Sequence, residues 1–150
     1  MTSQPPANPP LLTADQIKHL EMIQAIIARL ANGSFLIKGW TMTVAGVLFG
    51  VSASNLTWRV TLAGAIPLIG FWLLDSYYLR QERLFRKLYD AVRKPGSSVE
   101  PFSMNISVFH AEVPWGKVIR SHTMVNFYGL LFVVDVAFTA TAIVESLKGS

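Results

Sequence analysis

The chain has 150 residues, 51% of them hydrophobic and only 15% charged, with 13 Lys and Arg against 9 Asp and Glu for a net charge of +4. Soluble domains carry about 25% charged residues, so a water-soluble globule is excluded by composition and lipid is the solvent that accounts for the apolar excess. The absence of cysteine excludes disulfides, thiolate catalysis and thiolate metal sites together.

Met1 to Pro10 is rich in proline and small polar residues, lacks a basic cluster and is not followed at once by an apolar core of the signal-peptide kind. Residues 1–12 are therefore expected to be a disordered tail, and 13–150 a single membrane domain. Thr13 with Gln16 three residues on matches a capping box, and Ile17, Leu20, Ile23, Ile27 and Leu30 recur at spacings of three and four. This predicts an amphipathic helix over 13–32, ending near Asn32-Gly33. Its apolar stripe lies on the membrane surface, pairs with a second copy as a short coiled coil, or docks on its own chain.

Residues 35–54 and 60–79 are the first two spanning candidates, since roughly 20 apolar residues cross a bilayer as a helix. The link from Asn55 to Arg59 is short enough to force an antiparallel hairpin. In such a hairpin, residues equidistant from the turn midpoint, between 56 and 57, face each other at equal depth. Lys38 and Asp75 are such a pair, about one turn inside the interface, and opposed charges there remove much of the cost of burying either. The bland alternative is that Lys38 snorkels to the headgroups while Asp75 faces the interface. Gly46, Gly50 and Ser54 recur every four residues, a small-residue packing face that serves either the hairpin or an oligomer. Pro67 lacks an N–H, frees the Ala63 carbonyl and bends the second span.

The second span is expected to run on as a helix to Arg93. Arg80, Arg83, Arg86, Lys87, Arg93 and Lys94 outnumber Glu82 and Asp90, with Glu82–Arg86 and Asp90–Lys94 at favourable four-residue spacing. The surplus charge suits anionic lipid headgroups, and no base-reading motif accompanies it, so nucleic acid is not an expected partner. Trp72, Tyr77 and Tyr78 read as an aromatic belt. After a Pro/Gly/Ser break over 95–101, Phe102, Met104, Ile106 and Val108 alternate with Ser103, Asn105 and Ser107, which predicts one short β-strand in need of a pairing partner.

The third span is 124–144, apolar but for Asp135 near its middle. An ionised side chain at the bilayer centre costs about 2.5–3.5 kcal/mol or more, so Asp135 faces a partner, faces water, or stays protonated and hydrogen-bonded within the bundle. Gly46, Pro67 and Asp135 fall at similar depth, and Thr43 and Thr61 are potential donors to the acid. Eight of the 13 Lys and Arg lie between the second and third spans. The positive-inside rule then places the N-terminus and the 80–123 loop in the cytoplasm and the C-terminus outside. His19, His110 and His122 lack metal-site spacing and are assigned structural or surface roles. No nucleophile elbow, phosphate loop or paired catalytic carboxylates occur, so neither an enzyme, a metal nor a cofactor is expected.

The fold class expected is an all-α membrane protein: three transmembrane helices, an N-terminal amphipathic helix, a cytoplasmic extension of the second span and one short β-strand. From Thr13 to Lys94 this layout resembles the SLATT-type membrane effectors of bacterial conflict systems. Phe71 to Arg86, FWLLDSYYLRQERLFR, is also similar to a stretch of uncharacterised small bacterial inner-membrane proteins. The third span and the strand lie outside the two-span pattern. The resemblance implies an oligomer that opens a pore or perturbs the inner membrane when triggered and so halts phage propagation. The rival expectation is a non-enzymatic anchor that docks a soluble cytoplasmic partner.

Overall fold

A computed structural model describes residues 12–54, 57–94 and 96–148. The expected tail, apart from residue 12, lies outside the described residues, as do Asn55, Leu56 and Pro95. The elements in chain order are α1 (Ala14–Ser54), α2 (Trp58–Val92), a 3-10 turn (Ser107–Phe109), α3 (Trp115–Ile119) and α4 (His122–Lys148). Among them α1, α2 and α4 are long and apolar enough to cross a membrane.

The start of α1 is fixed by reciprocal hydrogen bonds: the Gln16 N–H donates to Thr13 Oγ1 at 3.2 Å and the Thr13 N–H to Gln16 Oε1 at 3.0 Å. The stop expected at Asn32-Gly33 is absent, and amphipathic helix and first span are one helix of 41 residues. A glycine inside a helix costs about 1 kcal/mol, so its presence calls for a packing reason. The reason is Tyr78 of α2, whose ring lies against the bare Cα: a Cβ at Gly33 would come within 2.6 Å of Tyr78 Cε1.

At 1.5 Å per residue α1 and α2 are about 60 and 50 Å long, against roughly 30 Å of bilayer hydrocarbon. They share the turn end, so both overhang at the other. There Leu20 and Ile23 of α1 meet Leu88 and Val92 of α2 in a core. Leu20, Ile23 and Ile27 of the apolar stripe of α1 thus dock on their own chain, while Ile17 stays exposed. Helix α4 runs antiparallel to α2, with Leu131 beside Leu68 and the Tyr128 hydroxyl 3.3 Å from the Phe71 carbonyl.

The β-strand expected over 102–109 does not form; no strand occurs among the described residues. Phe102 has φ 62, in the left-handed region, which interrupts any extended run. The alternation also fails in space: Met104 and Ile106 pack on the α1/α2 overhang while Val108 is exposed. Side chains take the place of a pairing strand. The Phe102 N–H donates to His19 Nδ1 at 3.3 Å, His19 Nε2 lies 2.9 Å from the Ser103 carbonyl, and the Ser107 N–H donates to Asn105 Oδ1 at 3.0 Å. His19, 2% exposed, is therefore the anchor of this loop. Beyond it, Val113 and Val118 bury against Leu84, which seats α3 on α2.

Gly33→Ala is expected to destabilise the protein by about 1–3 kcal/mol despite the gain in helix propensity, because the Tyr78 ring must move. Tyr78→Ala alone should leave a gap, and adding Gly33→Ala to it should cost far less than in the wild type. Thermal unfolding of the four proteins in one detergent checks this; equal costs in both backgrounds would refute it.

Candidate functional site

Two acids lie within the spanning region, and their surroundings differ. Asp75 is fully buried on α2. Its Oδ2 accepts from Lys38 Nζ at 2.6 Å and from the Tyr128 hydroxyl at 3.2 Å, while Oδ1 accepts from the Ser34 hydroxyl. Ser34 itself accepts from Lys38 Nζ at 2.9 Å. The spacing of four from Ser34 to Lys38 puts both on the α1 face toward α2, and Tyr128 arrives from α4. One carboxylate thus joins all three spans, with three hydrogen bonds to its two oxygens and its charge opposed by Lys38, whose side chain is 22% exposed. Below it Trp72 stacks on Tyr128, centroids 6.2 Å apart, and donates Nε1–H to the Ile119 carbonyl at 3.3 Å, so this tryptophan knits helices together.

Asp135 of α4 is 5% exposed and has no hydrogen bond or ion pair among the described residues. The donors expected from sequence are engaged elsewhere. Thr43 is exposed and donates to the Gly39 carbonyl at 3.1 Å, and Thr61 donates to the Trp58 carbonyl at 3.0 Å. What faces the acid is Gly64 of α2: a Cβ there would lie 3.0 Å from Asp135 Oδ1. One turn further along α4, Thr139 Oγ1 is buried without a partner. An acid with no hydrogen bond among the described residues and a fully buried hydroxyl without a partner therefore share one face of α4, toward the turn end of the bundle.

Gly46 and Gly50 do not serve the hairpin, because nothing lies within 4 Å of a Cβ built at either. With Gly39, Thr43 and Ser54 they form an exposed strip along the outer side of α1. Pro67 lies inside α2, half-buried, without ending the helix. Of the basic residues, Arg80 is a strut: its Nε–H donates to the Val113 carbonyl at 3.0 Å and its guanidinium lies 5.8 Å from the Trp115 ring centroid. Arg86 pairs with Glu82 at 2.6 Å and Lys87 with Glu112 at 2.9 Å. Asp90 pairs with Arg93 at 3.2 Å instead of Lys94, a residue further round the helix. No group of three or more His, Asp or Glu among the described residues is placed to hold a metal ion.

Ser34, Tyr128, Gly64 and Thr139 were not identifiable as site residues from sequence. Ser34 carries the one available signal, its place one turn before Lys38. Comparison with protein-family models, with curated proteins and with solved structures found no match.

The asymmetry in exposure gives a directional expectation. Lys38→Met strands a fully buried carboxylate and should cost about 3–5 kcal/mol, whereas Asp75→Asn leaves a lysine that reaches polar surroundings and should cost less. Tyr128→Phe should cost about 1 kcal/mol. Unfolding of reconstituted protein orders these variants, and Asp75→Asn proving the worst would overturn the assignment of Asp75 as the buried partner.

Proposed function

We propose that the protein is an oligomeric integral membrane protein acting as a pore-forming or membrane-perturbing effector in bacterial antiphage defence. The N-terminus and residues 80–123 lie in the cytoplasm and the C-terminus in the periplasm of the inner membrane. The observation that carries the proposal is the unsatisfied Asp135 within the spans. A carboxyl retained there without a partner is expensive, which makes it a functional element before a structural one. The Lys38/Asp75 network, by contrast, is satisfied throughout and sets the register of the bundle. Assembly is supported by the small-residue strip Gly39, Thr43, Gly46, Gly50 and Ser54, which the chain leaves unused and which lets a second helix approach closely. The orientation is supported by the concentration of Lys and Arg at the overhanging end.

A second function, a membrane anchor for a soluble partner, is favoured by the overhang itself. About 20 Å of α2 projects beyond the bilayer with its own core and a folded loop, a larger platform than insertion alone requires.

Ion flux from liposomes holding purified protein separates the two. Asp135→Asn should change flux at least fivefold, the low end of ordinary coupling energies, at unchanged expression and helix content. A silent wild type in the presence of its trigger, with partner capture intact, would favour the anchor. The absence of cysteine makes Gly50→Cys the sole thiol in the chain. Oxidation should give a crosslinked dimer, and Gly46→Leu should lower the oligomer fraction at unchanged helix content, since Gly46 is exposed and a Cβ there meets nothing within 4 Å. An oligomer indifferent to both substitutions would move assembly to another face.

A further inference from the structure

Between α2 and the segment leading into α3 lies a groove of about 330 Å³, with Arg83, Arg86, Lys87 and Asp90 on one wall and Glu112 and Lys117 on the other. The spacing of Arg83, Arg86, Lys87 and Asp90 places them on one face of α2. The opposite wall is fixed in place: Val113 and Val118 bury against Leu84, and Arg80 clasps the Val113 carbonyl. Not all the charges are available. Glu112 occupies Lys87 and, by that hydrogen bond and its negative charge, raises the Lys87 pKa above the ordinary lysine value, so Lys87 stays charged at neutral pH. Arg86 is held by Glu82 and Asp90 by Arg93. Arg83 and Lys117 have no ion pair among the described residues.

We propose that this groove binds the phosphate of an anionic phospholipid headgroup, with Arg83 and Lys117 as the binding cations. Depth selects the lipid over a soluble anion. Trp115 lies 6.2 Å from the Tyr77 ring and 5.8 Å from the Arg80 guanidinium, an aromatic and basic level of the kind that marks a membrane interface. Arg83 is one helical turn beyond Arg80, about 5 Å, within a headgroup layer roughly 5–7 Å deep. Lys117 is two residues from Trp115. Glu112, level with Lys87, and Asp90 sit farther out, about 10 and 15 Å past Arg80 at 1.5 Å per residue. A phosphate rising from the bilayer therefore meets the two unpaired cations first, and a polyanion entering from water meets the carboxylates. Arg93 and Lys94, about 20 Å past Arg80, are beyond headgroup reach. The site holds whether the bundle is a pore or an anchor.

Short-chain phosphatidylglycerol, short-chain phosphatidylcholine and inorganic phosphate titrated into the full-length protein in detergent, with thermal unfolding as readout, test the site. Phosphatidylglycerol is expected to raise the Tm at concentrations about tenfold lower than phosphatidylcholine, and inorganic phosphate to have no such effect. Arg83→Gln with Lys117→Gln should abolish the preference and leave the unliganded Tm unchanged, because neither side chain has an ion-pair partner to lose. Lys117→Gln alone should weaken the preference if the double variant proves unstable. Arg93→Gln with Lys94→Gln removes the same net charge and should keep it. Equal loss in both double variants would reduce the effect to general electrostatics, stabilisation by inorganic phosphate would make the groove a soluble-anion site, and absence of any preference would remove the site.

Discussion

The fold depends on the burial of one carboxylate. Asp75 sits where three helices meet, fully removed from solvent, and a charge so placed persists only if opposed and hydrogen-bonded. Lys38, Ser34 and Tyr128 do both, and they come from the two helices that must find α2. Sliding either helix by one residue would rotate these groups away and leave the charge bare. Apolar packing alone is permissive in lipid, where a leucine is as well solvated by acyl chains as by its neighbours. The polar node converts a set of compatible registers into a single one.

That register is carried outward by the rigidity of α1. Because the helix passes Gly33 without a break, the pairing set at Lys38 and Asp75 continues to Ile23 with Leu88 and Leu20 with Val92, beyond the depth of the bilayer. The overhang then offers an apolar surface in water, and the loop from Val99 to Phe109 covers it. Its backbone is satisfied by His19, Ser103 and Asn105, which explains how a segment with no pairing strand remains folded. The walls of the basic groove follow from the same docking, since Val113 and Val118 can bury against Leu84 only if α2 projects intact.

What could be read from the sequence divides along physical lines. The three spans follow from apolar length, and the apposition of Lys38 with Asp75 follows from the turn position alone, because depth in a hairpin needs no knowledge of side-chain packing. Ser34 and Tyr128 require the rotation of α1 and the choice of the α4 face, which many uniformly apolar positions leave open. Asn32-Gly33 reads as a helix end because local propensity favours a stop there; a ring from the other helix overrides it. The alternation from Phe102 to Val108 matches a strand because a loop anchored by Met104 and Ile106 produces the same pattern over so few residues. Gly64 faces Asp135 and Gly46 faces outward, a difference of helix rotation that apolar spacing leaves open.

The two acids divide the bundle mechanically. On the Asp75 side of the membrane midplane the fully buried side chains include Tyr128 and Met124, followed by Leu84 and Leu88 in the overhang. Toward the turn end the buried positions are small: Gly64, Thr61, Ser52 and Ala142. Dispersion energy scales with the number of atoms in contact, so each of these small buried positions contributes less packing than Tyr128 or Met124. Asp135 lies toward the turn end, beside Gly64 and one turn from a hydroxyl that lacks a partner. A donor, a cation or water brought to this pair would supply the polar partner that neither group has among the described residues, whereas Asp75 already holds Lys38, Ser34 and Tyr128.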